Sequence, residues 1–176
     1  MVFSAIARRF VFSGVVAIAM SVTSAQADWD FEVVTDKFND RQTVVASSDE
    51  PLEDIAISFE CRNGRDFFFV LDTQQYLAKK KRSFKLHYRV DSQKSKTVKM
   101  RAFTNSSAGG LNDLNALEVA NDIIGGRTIA LRAVASSKDE YEATISLEQS
   151  IEAIVRTARA CQIGLARPFD DAIPIR

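Results

Sequence analysis

Alternation of apolar and polar residues predicts β-strands over much of the chain. From Asp54 to Cys61, large apolar residues occupy every second position, and an apolar run over 66–72 follows the pair Asn63-Gly64. A period of two is typical of a strand with one buried face, and Asn-Gly favours a tight hairpin turn. We therefore predict that these two strands pair and that Cys61 points into the core.

The alternating pattern recurs in later segments. Strands are predicted at 84–90 and 98–102, joined by a polar turn, and at 128–133 and 140–147, joined by a turn at 136–139. A shorter β-branched run over 42–46 adds one more strand. The polar, glycine-ended segment Asn105–Gly110 is interpreted as a loop.

Two segments have the helical spacing of apolar residues instead. The first is capped by Asn112 or Asp113 and stops at Gly125-Gly126, and the second covers about 148–163. The apolar positions of the first are Leu114, Leu117, Ala120, Ile123 and Ile124. Because hairpin-joined strands and helices do not alternate one by one, the order indicates an α+β domain. We expect an antiparallel twisted β-sheet of about six or seven strands, with its apolar face packed by two helices.

The first 27 residues have the features of a signal peptide. Arg8 and Arg9 precede an apolar stretch over 10–22, and Ala25-Gln26-Ala27 fits a small-x-small cleavage site before Asp28. The stretch is short for a membrane span and is interrupted by serine and glycine. General secretory export is favoured over the twin-arginine route, because the residues that usually flank a twin-arginine pair are missing. The periplasm of a Gram-negative bacterium is the expected destination.

Cleavage of segment 1–27 would leave 149 residues, which we expect to form one globular domain, 28–176, with an extended tail at 165–176. That chain has 21 basic and 23 acidic side chains and a net charge of −2, which argues against general affinity for nucleic acid. No cysteine lies at the cleavage site, so we expect no stable membrane anchor. The oligomeric state stays open.

Cys61 and Cys161 are the two cysteines of the chain. In an oxidising compartment they most economically form one disulfide, which would close a loop of about 100 residues. Two separately buried thiols are the alternative. Both cysteines fall on core-facing stripes, one on an early strand and one on the last helix, so a disulfide would clamp that helix to the sheet.

Few side chains suggest catalysis. His87 is the only histidine and lies on the polar side of its strand, where a surface histidine is a simpler interpretation than a catalytic or metal-ligating one. Neither glycine pair fits a phosphate-binding motif. We therefore predict no catalytic residues, no metal ligands and no cofactor.

One surface feature is a candidate for binding. If 84–90 and 98–102 form a hairpin, Lys79–Arg82 lies at one end of it, and five side chains share its outer side. These are Lys85, His87, Arg89, Lys99 and Arg101. Such a patch would attract an acidic protein surface, a lipid head group or an anionic envelope polymer. A solvated sheet face, whose charges discourage pairing between molecules, is the alternative.

Three short patterns resemble a known group of proteins. They are Cys61-Arg62-Asn63-Gly64, Tyr88-Arg89-Val90-Asp91, and a last helix entered from Leu147 and ending in Ala160-Cys161. In this layout the chain resembles exported bacterial proteins that include the type VI secretion-associated VasI-like family. The resemblance implies a soluble periplasmic protein with one strand-to-helix disulfide, accessory to an envelope assembly and without catalysis.

From these features we expect a non-enzymatic periplasmic accessory protein that recognises another cell-envelope component, with an envelope protein as the favoured partner. One alternative is an inhibitor of a lysozyme-type cell-wall hydrolase, which would insert the segment Asn105–Gly110 into the enzyme's cleft. A second alternative is a small hydrolase, which would require a deep pocket that brings His87 together with a carboxylate.

Overall fold

A computed structural model of the protein describes residues 28–49, 55–73, 75–79, 82–103, 107–135 and 139–166. The expected signal peptide, 1–27, and most of the expected tail, 167–176, lie outside these residues. The described residues form an antiparallel sheet with two helices, which confirms the predicted α+β class.

Nine strands and two helices follow one another along the described residues. The strands are β1 (Asp28–Thr35), β2 (Gln42–Asp49), β3 (Ile55–Arg62), β4 (Asp66–Thr73), β5 (Ser83–Val90), β6 (Lys96–Ala102), β7 (Ala108–Asn112), β8 (Thr128–Val134) and β9 (Glu140–Ser146). The helices are α1 (Asp113–Ile123), between β7 and β8, and α2 (Ser150–Ala160), after β9.

All nine strands belong to one open sheet with the order β1-β2-β3-β4-β7-β6-β5-β8-β9, and every neighbouring pair is antiparallel. The first four strands form a meander. The next three run back, so that β7 lies beside β4, and the connection through α1 then brings β8 to the far side of β5. β1 and β9 are therefore the two edges of the sheet.

The core lies between the two helices and one face of the sheet, here called the inner face. Alternate residues of β3 and β5 are buried there, as the period-two pattern predicts. α2 contacts β1, β2 and β3, and α1 contacts β4 and β7. At the centre, the ring of Phe59 lies 5.8 Å from that of Phe67 and 5.2 Å from that of Phe69. No helix of the described residues has the length and apolarity needed to cross a membrane.

The predicted disulfide is confirmed. Cys61 on β3 is bonded to Cys161, one residue beyond α2, and their Cα atoms are 5.5 Å apart. Both residues are buried. The turn between β3 and β4 is also the predicted one, since Asn63 and Gly64 both have positive φ. The bond therefore holds the C-terminal end of α2 against β3, the third strand of the sheet.

The strand count was underestimated, because β1 and β7 were not predicted. The interpretation of Asn105–Gly110 as a loop is wrong for its described part, since Ala108, Gly109 and Gly110 belong to β7 between β4 and β6. Close packing explains the glycines. A Cβ atom at Gly109 would lie only 2.8 Å from the carbonyl oxygen of Arg101. Residues 104–106 lie outside the described residues.

The helices also differ in detail from the prediction. On α1 the buried residues are Ala116, Val119, Ala120 and Ile123. Leu114, which was assigned to the apolar stripe, is 80% exposed. The side chain of Asn112 makes no capping hydrogen bond. α2 is shorter than expected, but its buried side includes Ile154, Val155 and Ala158, as the apolar stripe predicted.

Candidate functional site

The face of the sheet opposite the helices, here called the outer face, collects the basic side chains of β5 and β6. On β5 they alternate with the buried Phe84, Leu86 and Tyr88, and on β6 they flank the buried Met100. All five residues of the predicted patch lie on this face: Lys85, His87, Arg89, Lys99 and Arg101. The β5–β6 hairpin that the sequence predicted is what brings them together.

The register of the hairpin sets two lysines against each other. Lys85 on β5 lies directly opposite Lys99 on β6. Like charges in directly opposite positions of a sheet are destabilising. Two residues further along β5, His87 faces Thr97, and the Nδ1 atom of His87 lies 2.7 Å from Oγ1 of Thr97. The histidine is therefore anchored to its neighbouring strand by a hydroxyl group.

Arg132 on β8 is a further basic residue of the outer face. It lies opposite His87 across the β5–β8 pairing, and its guanidinium forms ion pairs with Glu142 and Glu140 on the edge strand β9. The sequence pattern places Arg132 on the polar side of its strand. It gives no sign that β8 pairs with β5, because that contact forms only after the chain has passed through α1.

Four of the cations have no acidic partner in the described part of the chain. Lys85, Arg89, Lys99 and Arg101 form no ion pair there, whereas Arg132 is paired with acidic residues of β9. The outer face of β5 and β6 therefore has a local excess of positive charge on a chain whose total formal charge is zero.

Three shallow depressions of about 470, 480 and 570 Å³ follow one another along β5. The first is lined by Lys79, Arg82, Ser83 and Lys99. The second shares Ser83 and Lys99 with the first and adds Lys85, and the third contains His87, Arg89 and Arg132. We call this row of three depressions, with its seven basic residues, the basic furrow: Lys79, Arg82, Lys85, His87, Arg89, Lys99 and Arg132. Residues 80–81 lie outside the described residues.

The third depression contains both His87 and a carboxylate, that of Glu142. Glu142 accepts a hydrogen bond from Nε of Arg132, and His87 contacts Thr97. No hydrogen bond within the described residues joins the histidine to a carboxylate. The depression is also shallow, so it differs from the deep pocket that the hydrolase alternative requires. Among all the described residues, no cluster of histidine, cysteine and acidic side chains is suited to a metal ion.

A polar cluster on the inner side holds the hairpin to α1. The hydroxyl of Tyr88 donates a 2.7 Å hydrogen bond to Asp122, and Nζ of Lys96 lies 2.7 Å from Asp122 and 3.1 Å from Glu118. Burial, followed by the contact with Asp122, raises the pKa of Tyr88. The hydrogen bonds to Asp122 and Glu118 raise the pKa of Lys96. These contacts fix the strand that forms the floor of the basic furrow.

Asp91 fixes the other end of β5. Its carboxylate accepts hydrogen bonds from the backbone N–H groups of Arg127, at 3.0 Å, and Thr128, at 2.9 Å. The backbone N–H of Asp91 in turn donates to the carbonyl of Thr128. The hydrogen bonds from Thr128 and Arg127 lower the pKa of Asp91. The start of β8 is thereby held beside the end of β5, next to Arg89.

No protein-family model, no curated protein and no solved structure matches this chain. The resemblance to VasI-like proteins therefore stays a prediction. The outer face and its basic furrow are the features of the described residues from which a function can be inferred.

Proposed function

We propose that the protein is a non-enzymatic binding protein of the bacterial periplasm, and that it recognises an anionic component of the cell envelope through its outer face. The repulsive pair of Lys85 and Lys99, together with Arg89 and Arg101, which have no acidic partner among the described residues, is the observation that carries the proposal. A face that needed only to be solvated gains nothing from two opposed lysines, because cross-strand charges of opposite sign are stabilising. An external anion would neutralise the repulsion.

The disulfide supports the periplasmic location. Disulfides form and persist in oxidising compartments, and the Cys61–Cys161 bond joins two buried residues across 100 positions. The signal peptide predicted at 1–27 is consistent with export. Intact-mass analysis of protein recovered from the periplasm should therefore find one disulfide and a chain that starts at Asp28. Two free thiols would contradict the proposed location.

A comparative cross-linking pull-down tests the proposed recognition. The wild-type protein, the double variant K99E/R101E and the control variant R41E/R65E are cross-linked in intact cells and recovered. Arg41 and Arg65 are exposed and lie in turns at the β1–β2 and β3–β4 connections, several strands from β5. The control changes the net charge by the same amount. We expect K99E/R101E to lose a component that the wild type and R41E/R65E retain. Equal recovery by all three proteins would contradict the proposal.

Inhibition of a cell-wall hydrolase is a second candidate function, which a different element supports. The described part of Asn105–Gly110 lies within the sheet, where it is unsuited to insertion into a cleft. The turn between β1 and β2 is better suited, because Phe38 at its tip is fully exposed. The backbone N–H of Phe38 donates a 2.8 Å hydrogen bond to the carboxylate of Asp36, which orders the turn. An ordered turn with an exposed aromatic residue loses little entropy on binding.

The inhibitor function is tested with purified protein in a lysozyme assay against cell-wall substrate. If the turn inhibits the enzyme, F38A should abolish inhibition while K99E/R101E retains it. Absence of inhibition by the wild-type protein would eliminate this candidate and leave recognition through the outer face unaffected.

A further inference from the structure

We propose that the ligand of the outer face is a linear polyanion that lies lengthwise in the basic furrow, along β5. This inference rests on the proposed function and specifies its ligand class. A repeating chain of phosphate, sulfate or carboxylate groups fits the arrangement of the cations, whereas a compact anion would use only a small part of it.

The spacing of the cations is the first argument. Side chains on one face of a strand recur about every 7 Å, so Lys85, His87 and Arg89 form a regular row. Arg101 lies opposite Ser83, at the start of the same strand. From Ser83 to Arg89 the row is about 20 Å long. A single phosphate or lipid head group would contact at most two neighbouring members of this row, so a ligand that uses all of it must be extended.

The succession of the three depressions along one strand is the second argument. The first two depressions share Ser83 and Lys99, and the third begins two residues further along β5, at His87. Each depression is lined by at least two basic side chains. Among the described residues, Glu142 is the one acidic residue that lines any of them, and it is paired with Arg132 near the β9 edge. A negatively charged chain therefore meets no unpaired acidic group of the described residues along this path.

The apolar content of the furrow argues against an acidic protein surface as the ligand. Protein interfaces depend on aromatic or large aliphatic anchors at their centre and are depleted in lysine. The furrow contains lysines, and its apolar side chains on the outer face are small ones such as Ala130 and Val134. The aromatic rings of Phe84 and Tyr88 are buried on the inner face. Charge, rather than apolar contact, would thus supply the affinity.

Binding of long-chain inorganic polyphosphate, tripolyphosphate and orthophosphate, measured by calorimetry at several salt concentrations, tests this proposal. We expect long-chain polyphosphate to bind at least about tenfold more tightly than tripolyphosphate, with an affinity that falls linearly on logarithmic axes as salt increases. K99E/R101E should bind about tenfold more weakly than R41E/R65E, because Lys99 lines the furrow and Arg101 lies beside it, opposite Ser83. Its salt slope should be smaller by at least about one, for the lost contact of Lys99. Circular dichroism establishes that both variants are folded.

The other outcomes separate this inference from the proposed function. Equal affinity for tripolyphosphate and long-chain polyphosphate would overturn the inference of a linear ligand. It would leave the proposed recognition of an anionic component unaffected. If mixed vesicles of phosphatidylcholine and phosphatidylglycerol bind as tightly as long-chain polyphosphate, the ligand is a lipid surface and the inference of a linear polyanion is wrong. If no polyphosphate binds but K99E/R101E still loses a protein partner in the pull-down, the ligand is an acidic protein. If the pull-down is also unchanged, both proposals are wrong.

Discussion

The indole N–H of Trp29 donates a 3.0 Å hydrogen bond to the carbonyl oxygen of Ser146, 117 residues further along the chain. Trp29 belongs to β1 and Ser146 to β9, the two edge strands of the sheet. An open sheet of nine twisted strands therefore curls until its first and last strands touch. α2 strengthens the same edge, since the guanidinium of Arg156 lies 3.7 Å from the ring centre of Phe31.

The substitution W29F tests the importance of this contact. Phenylalanine keeps most of the buried aromatic surface but removes the indole N–H, so we expect a loss of about 1 kcal/mol in the free energy of unfolding. Urea denaturation followed by circular dichroism measures the change. F38L is the control, because Phe38 is fully exposed and its replacement should leave the unfolding midpoint unchanged. Equal midpoints for wild type and W29F would show that the two edges do not stabilise each other.

Removal of the disulfide should have a larger effect. The Cys61–Cys161 bond closes a loop of 100 residues, for which the chain-entropy model gives a stabilisation of about 4 to 5 kcal/mol. We expect the double variant C61A/C161A and the reduced wild-type protein to unfold at similar, lower urea concentrations than the oxidised protein. If reduction left the midpoint unchanged, α2 would be held to the sheet by packing alone.

Gly109 should tolerate no larger residue. A Cβ atom there would collide with the ring of Phe84 and lie 2.8 Å from the carbonyl oxygen of Arg101, so G109A must push β7 away from its neighbours. We expect a cost of about 2 kcal/mol in the free energy of unfolding. Gly164 provides the control, because no atom lies within 4 Å of a Cβ placed there. G164A should shift the urea midpoint little, and an equal shift for both variants would contradict the tight packing of β7.

Gly109 belongs to a strand, β7, that the sequence pattern does not predict. β3 and β4 could be predicted because apolar alternation and an Asn-Gly turn are both local signals. β7 is short and contains two glycines, and it is a strand only because β4 and β6 pair with it on either side. Long-range pairing of this kind leaves no local pattern, so the sequence predicts a loop over Asn105–Gly110.

The residues of the candidate site also differ in whether a local sequence pattern could predict their position. The five basic residues on β5 and β6 could be placed on one face from alternation within a single hairpin. Lys79 could likewise be placed at one end of the hairpin, whereas Arg132 joins these residues only through the connection that brings β8 alongside β5. The furrow itself is a property of the assembled sheet, and the sequence could not predict it.

Stability at acidic pH should depend on Asp91. Its folded-state pKa lies below the usual 3.8, because two backbone N–H groups stabilise the charged form. The stabilisation is therefore fully present above the unfolded-state pKa and is lost as the pH falls through the lower folded-state pKa. We expect D91N, which tolerates the positive φ at this position, to be less stable than the wild type at neutral pH. The difference should disappear in strong acid.

Urea titrations of both proteins at a series of pH values measure this difference, and a carboxyl-resolved NMR titration gives the pKa of Asp91 directly. Asp139 in another connection provides a comparison, since D139N leaves the contacts of Asp91 untouched. A stability difference between wild type and D91N that is independent of pH would show that the charge of Asp91 contributes nothing.

The variant K99E separates binding from folding. Glutamate at position 99 would face Lys85 directly, so it replaces a repulsive cross-strand pair with an attractive one and should raise the free energy of unfolding by about 0.5 kcal/mol. The same change places a negative charge in the middle of the basic furrow and should weaken anion binding. The predicted combination is a protein that is more stable in urea and binds polyphosphate less well. K99Q removes the repulsion without adding an acid. Its stability in urea and its affinity for polyphosphate should therefore both lie between those of the wild type and K99E. A loss of stability in K99E would show that Lys99 serves the fold, and would remove the reason for assigning the pair of lysines to a ligand.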